Sequence, residues 1–201
     1  NTFSAIASNG GQAFGVYPRD LLDGGVIGGN TFNGITGNTV ACGVYIDVTG
    51  ANTMQGSIVN NVFNQSAEAG QLFALESKTS AVYGIWVNGS VIPTSAGSGG
   101  IISGNQFTGG IASGTDSWAG AARGINVFGA VSGTLGCAPD VTDISACGNT
   151  FSAITSNGGQ AYGVLADDLL AGGVIGGNTF NGITGNNAVY GVRINVTGTN
   201  T

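Results

Sequence analysis

The chain carries ten carboxylates, four cations and no histidine among 201 residues, for a net charge of −6. Without histidine, the commonest general base and the commonest zinc ligand are both absent. Acid–base chemistry would therefore rest on paired carboxylates. The candidates are Asp20 with Asp168, the neighbours Asp167 and Asp168, and a loop group of Asp116, Asp140 and Asp143 with Glu68 and Glu76. Carboxylates that cleave glycosidic bonds stand about 5–9.5 Å apart, so these residues matter only if the fold gathers them. The cations Arg19, Lys78, Arg123 and Arg193 are too few to follow a phosphate backbone or hold an anionic bilayer surface, which excludes nucleic acid as a partner. The glycine-rich run from Gly24 to Asn30 lacks the lysine and the following helix of a phosphate cradle. The cysteine spacing offers no metal site, so neither metal nor cofactor is expected.

Two other kinds of chemistry remain. Cys137 and Cys147 bracket the segment APDVTDISA, and a disulfide closing so short a loop contributes roughly 2–3 kcal/mol. Cys42 reads as a buried free thiol. Tyr17, Tyr45 and Trp86 each stand two residues after a recurring glycine, and flat aromatic faces in a row are a platform on which sugar rings stack.

What positions these residues is a repeat inside a repeat. Residues 1–53 recur at 149–201, an offset of 148, with 40 of 53 positions identical. Within this long unit the triplet Asn-x-Phe begins at Asn1, Asn30, Asn61, Asn105, Asn149 and Asn178, at spacings of 29, 31, 44, 44 and 29. A second marker, glycine followed by Val or Ile, falls between them at Gly15, Gly43, Gly84, Gly124, Gly163 and Gly191. Segments such as Val44 to Val48 alternate with period two and are rich in β-branched residues, whereas Gly, Asn and Ser clusters supply corners. Helical periodicity is absent, and the frequent glycines would each cost a helix about 1 kcal/mol.

The pattern predicts one all-β domain over 1–201, a parallel β-helix (β-solenoid) of about six coils with two to three short strands each, stacked at ~4.8 Å. Register then makes columns. Phe3, Phe32, Phe63, Phe107, Phe151 and Phe180 form one inward stack, and Val16, Val44, Ile85, Ile125, Val164 and Val192 another. Ile27, Ile58, Ile102 and Ile175 form a third, with Ala146 in the remaining place. Asn30, Asn61, Asn105, Asn149 and Asn178, continuing from Asn1, are read as a structural amide ladder at a corner.

On these coils Asp20 and Asp168 lie four rungs apart, roughly 19 Å, which is too far for a catalytic pair. Asp47 stands one rung from Arg19, close enough for a surface ion pair. Arg123 occupies the column of Phe14, Cys42, Tyr83, Tyr162 and Tyr190, read as inward or at a corner, so that either the coil bulges there or an acid such as Asp116 pairs with it. Tyr17, Tyr45, Trp86, Asn126, Leu165 and Arg193 form an outward column. A second outward column, rich in Thr, is interrupted by Val62 and Gln106, which weakens an ice-binding reading.

The repeated I-x-G-N-x-F-x-x-I unit resembles that of right-handed parallel β-helix proteins of the pectin-lyase-like superfamily, a group holding polysaccharide lyases and hydrolases, phage tailspikes and autotransporter passenger domains. The resemblance spans the chain and implies the fold and its right hand; no catalytic signature of the family's enzymes accompanies it. The leading expectation is a non-catalytic structural or surface protein: a stalk, an adhesin-like passenger, or a filament subunit. Its partners would be further copies of itself, stacked end to end, or a surface glycan. Both ends fall inside the long repeat, which suits a section of a longer array. The alternatives are a polysaccharide-degrading lyase or hydrolase using the loop acids, and a carbohydrate- or ice-binding solenoid. No apolar run approaches the ~18 residues of a spanning helix, so membrane insertion is not expected, and the cysteine pair suits an extracellular or cell-surface location.

Overall fold

The Asn-x-Phe and Gly-Val markers each nucleate one face of the molecule, and a third face falls between them. In the computed structural model, which describes residues 1–50, 52–65, 73–93, 100–113, 120–138, 143 and 147–196, the chain winds through three parallel sheets in turn. The Gly face pairs Gln12–Val16, Val40–Asp47, Val82–Asn88, Ala122–Val131, Ala161–Leu169 and Val189–Ile194 in that order. The Ile face stacks Val26–Gly28, Ser57–Val59, Ile101–Ser103, Thr134–Gly136 and Val174–Gly176. The Phe face begins with the long strands Thr2–Ser8 and Thr31–Gly37, and later coils split this strand in two, as in Val62–Phe63 and Leu75–Ser77. Every strand pairing is parallel and joins neighbouring coils, so the architecture is the parallel β-solenoid of about six coils that the spacing predicts. Among the described residues there is no helix, and none is long and apolar enough to cross a membrane.

The columns hold despite unequal coil lengths. Phe3, Phe32, Phe63, Phe107, Phe151 and Phe180 stack with ring centroids 4.5–5.0 Å apart and planes within 13°, and the four interior rings are fully buried. The Gly marker has a packing cause. A Cβ built at Gly84 would lie 2.2 Å from the Phe107 ring of the next coil, and at Gly43, Gly124 and Gly163 it would lie 2.3–2.4 Å from Phe63, Phe151 and Phe180. Each coil therefore receives the next coil's phenyl ring on bare backbone. The two markers are one device.

The Asn ladder runs along the corner between the Ile and Phe faces. Asn105 shows the pattern: its Oδ1 accepts from Asn61 N and Nδ2 at 3.0 Å, and its Nδ2 donates to Asn149 Oδ1 at 3.0 Å and to the Ile58 carbonyl at 2.9 Å. The same bonds repeat from Asn30 to Asn178. The residue before the ladder turns through positive φ at Gly29, Asn60, Gly104 and Gly177 (56–65°), the conformation glycine adopts freely and asparagine tolerates. This accounts for the Gly-Asn of the repeat.

One column assignment needs correcting. Leu135, and not Ala146, fills the place between Ile102 and Ile175; Ala146 lies outside the described residues. In the other coils the ladder Asn follows three residues after this position (102 to 105), whereas Asn149 follows fourteen after Leu135. The extra chain leaves between strand and ladder, and a disulfide between Cys137 and Cys147, with Cα atoms 5.0 Å apart, closes its base. Cys137 N donates to the Gly176 carbonyl and the Cys147 carbonyl accepts from Gly104 N. The bridge thus carries the column across the insertion.

Candidate functional site on the outer Gly face

The strands of the Gly face bend at the glycine, and the bend decides what they show outside. In the second coil Ala41, Val44 and Ile46 turn into the core, while Cys42 and Tyr45 join a separate apolar cluster with Tyr83, flanked by Phe14 and Trp86. Two outer positions three residues apart therefore lie side by side on every coil, and Tyr83 and Trp86 of one strand stack at 4.5 Å and 21°.

The sequence-predicted Tyr17, Tyr45 and Trp86 do come together, with centroids 4.7 and 4.5 Å apart. Their planes are tilted by 45° and 35°, and Tyr45, packed against Phe14 as well, keeps only 9% of its surface. Its ring faces are taken by its neighbours, and Tyr17, at 52% exposure, offers the most surface. Asp47 accepts hydrogen bonds from Tyr17 Oη, Tyr45 Oη and Asn88 Nδ2 at 3.1–3.4 Å, in place of the expected ion pair with Arg19. Burial, reinforced by the Asp47 charge, pushes the Tyr45 phenol up to about 12.

Arg123 does not point into the core as the column reading allowed. It lies on the outer side of the bend, its guanidinium 5.0 Å from the Tyr83 ring and 5.6 Å from the Tyr162 ring, and Nη1 donates to Tyr83 Oη at 2.7 Å. Cation–π stacking and this bond hold the charge, with no carboxylate beside it among the described residues; Asp116 lies outside them. Arg193 repeats the arrangement over Tyr162 and Tyr190 at 6.0 and 5.1 Å. Burial raises the Tyr83 phenol, and Arg123 partly offsets this.

Beside Arg123 the fourth strand carries a β-bulge. Val127 pairs with Ala166 and Ala130 with Asp168, so Phe128 and Gly129 together oppose Asp167. Bulges re-aim a side chain, and here Phe128 stands 65% exposed. It borders a cleft of about 260 Å³ whose other walls are Tyr83, Trp86, Arg123, Asn126, Leu165, Asp167 and Asn195. Trp86 Nε1 and Arg123 Nε are buried with no acceptor among the described residues. Asn126, Phe128, Asp167 and Asn195 were not singled out as a group by sequence. The available signal was the break in the columns: Arg in a tyrosine column, and Asn where neighbouring coils carry Trp86 and Leu165.

Among the described residues the carboxylates form no cluster of three or more. Asp20 accepts from Thr49 N and Oγ1 at 3.0 and 2.7 Å, which lowers its pKa and makes it a clamp on the following turn. Asp168 is buried at 7% exposure, while Asp167 borders the cleft. Glu76 lies on the Phe face in register with Thr36 and Ala112. Glu68, Asp116 and Asp140 lie outside the described residues, among which no group of three or more His, Cys, Asp or Glu gathers. Cys42 is a free, fully buried thiol whose pKa burial drives upward. No family model, curated protein or solved structure matches this chain.

Proposed function

We propose that the chain is a non-catalytic structural repeat protein of pectin-lyase-like type: a length of β-helix serving as a stalk, an adhesin-like passenger or a filament subunit at an extracellular or cell surface. The observation that supports this most is the continuity of the Phe, Ile and Val columns and the Asn ladder through coils of unequal length. Such columns add length coil by coil, each contacting only its neighbours, and a tandem duplication that preserves them extends the rod. The Cys137–Cys147 bridge favours an oxidising location. The polysaccharide-cleaving alternative draws its acids from insertions and finds little support in Asp20 and Asp168, which sit four coils apart, roughly 19 Å. Electron microscopy over a range of concentrations tests the assembly: a filament subunit forms rods far longer than the ~30 Å of six coils, whereas a stalk section remains as single particles. Release of reducing or unsaturated ends from a polysaccharide panel would refute the non-catalytic reading.

A second reading, docking of a surface glycan on the Gly face, is favoured by the cleft bordered by Trp86, Arg123 and Phe128. The two are compatible, since a stalk presents its sides to whatever it passes.

A further inference from the structure

We infer that the cleft beside Phe128 is a binding site for a single neutral saccharide ring; the inference rests on the glycan-docking reading above and specifies its site and ligand class.

The first argument is the convergence of irregularities. In a molecule made of columns, the fourth coil departs from the pattern at Arg123, at Asn126 and at the bulge that exposes Phe128. These residues belong to a coil outside the 53-residue duplicated segment, and all three border one cleft. Stacking between Tyr83 and Tyr162 accommodates Arg123, but columnar packing requires neither an Arg there nor Asn126 nor the bulge. It would accept Tyr, a second aromatic and an unbulged strand, as in the third coil with Tyr83, Trp86 and Asn88.

The second argument is the chemistry of the walls. Trp86 and Phe128 supply apolar surface for the C–H face of a sugar, and the exposed ring on the bulge is free to meet it. Arg123 uses one of its five N–H donors on Tyr83. Apart from the buried Nε, its remaining N–H groups have acceptors to gain, and each hydroxyl of a sugar brings one. Asp167 accepts, and the amides of Asn126 and Asn195 do both, which matches groups that donate and accept at once. Arg123 and Asp167 are the two charged lining residues and are opposite in sign, so the lining itself favours a neutral ring over a uronate. Its volume, about 260 Å³, falls just below the range of drug-sized pockets and suits one ring.

The test uses the whole chain with methyl β-D-glucoside, methyl β-D-galactoside and methyl α-D-mannoside as neutral probes and methyl β-D-glucuronide as the anionic one. Binding is read by saturation-transfer NMR and by titration of backbone amide shifts. At least one neutral glycoside is expected to bind in the millimolar range, with shifts centred on residues 123–128 and 165–167. Phe128→Ala and Asp167→Asn should each weaken it about fivefold, equivalent to about 1 kcal/mol. Tyr17→Ala, on the same face outside the cleft, should leave it unchanged. Phe128 is exposed, so its variant should melt as the parent does; if it does not, Asp167→Asn carries the test. The proposal is overturned if no neutral glycoside binds by about 50 mM, if the uronide binds tenfold tighter, if both cleft variants bind normally, or if Tyr17→Ala removes binding equally. None of these results bears on whether rods form, so the scaffold reading stands or falls separately.

Discussion

Gly84→Ala isolates the packing device on which the fold depends. The new methyl would lie 2.2 Å from Phe107 Cε1 and 2.6 Å from the Gly124 carbonyl oxygen, both well inside contact distance. Neither neighbour can retreat easily. The Phe107 ring is fully buried and stacked between Phe63 at 4.5 Å and Phe151 at 4.8 Å, and the carbonyl belongs to the next coil. Overpacking of this kind costs about 1–3 kcal/mol. Restricting the unfolded chain returns about 0.4–1 kcal/mol of stability, so the net loss should be about 1.3 kcal/mol, read from the midpoint of guanidinium unfolding followed by circular dichroism. The cost should be coupled to the ring. In a Phe107→Leu background the carbonyl contact remains but the ring contact goes, and Gly84→Ala should cost about 1 kcal/mol less. Gly191→Ala is the control, because its nearest neighbour is Phe180 at an ordinary 3.4 Å, and with no clash to oppose the unfolded-state effect its midpoint should rise by the equivalent of about 0.4–1 kcal/mol. A Gly84→Ala protein as stable as the parent, or a cost identical in both backgrounds, would refute the claim that glycine is there to receive the phenyl ring.

Asn105→Ala strips partners from Asn61 N and the Ile58 carbonyl, both buried, and should lower unfolding free energy by about 3 kcal/mol; Asn1→Ala, which removes a single bond at the outermost coil, should change it by less than about 0.5 kcal/mol in the same assay. Replacing Cys137 and Cys147 by Ser should cost about 2–3 kcal/mol, and dithiothreitol should destabilise the parent but not the double variant. Cys42 should resist a thiol reagent at pH 8 until denaturant is added, since its site is closed. Its pKa is raised above the ordinary 9.0, so the folded state holds the proton more tightly than the unfolded one. Stability should therefore be insensitive to this thiol below pH 9 and fall as pH rises above it, and a pH series of melts should show Cys42→Ala losing less over that window.

Legibility in the sequence divided along a physical line. Period-two alternation and the recurring Asn-x-Phe and Gly-Val markers reveal columns, because each coil repeats the same contacts and a column is a one-dimensional object. Hence the Phe, Val and Asn columns follow from spacing alone. Leu135 was missed because its coil carries the insertion between the strand and Asn149, and spacing cannot tell on which side of an insertion the strand lies. Cys137 and Cys147 held the clue, since a bridge at the base of a loop brings its two ends together. The outer face was harder to read. The double-sided bend at the glycine puts positions 42 and 45 on one surface, whereas strict alternation assigns them to opposite ones, and this is why Arg123 reads as inward. The bulge at Phe128 and Gly129 leaves no signature in residue type; only the pairing of Val127 with Ala166 and Ala130 with Asp168 shows it.

The register across unequal coils is tested most directly by engineered cross-links between the third and fourth, whose markers lie 44 residues apart. Val62 and Gln106 pair in register on the outer Phe face, where neighbouring Cα atoms are ~4.8 Å apart and within disulfide reach. Val62→Cys with Gln106→Cys should close a disulfide under mild oxidation, seen as a two-proton mass loss and protection from alkylation. Val62→Cys with Thr108→Cys, two residues out of register at about 8 Å, should stay reduced. Closure of the second pair in preference to the first, or of neither, would contradict the columns and the β-helix built on them.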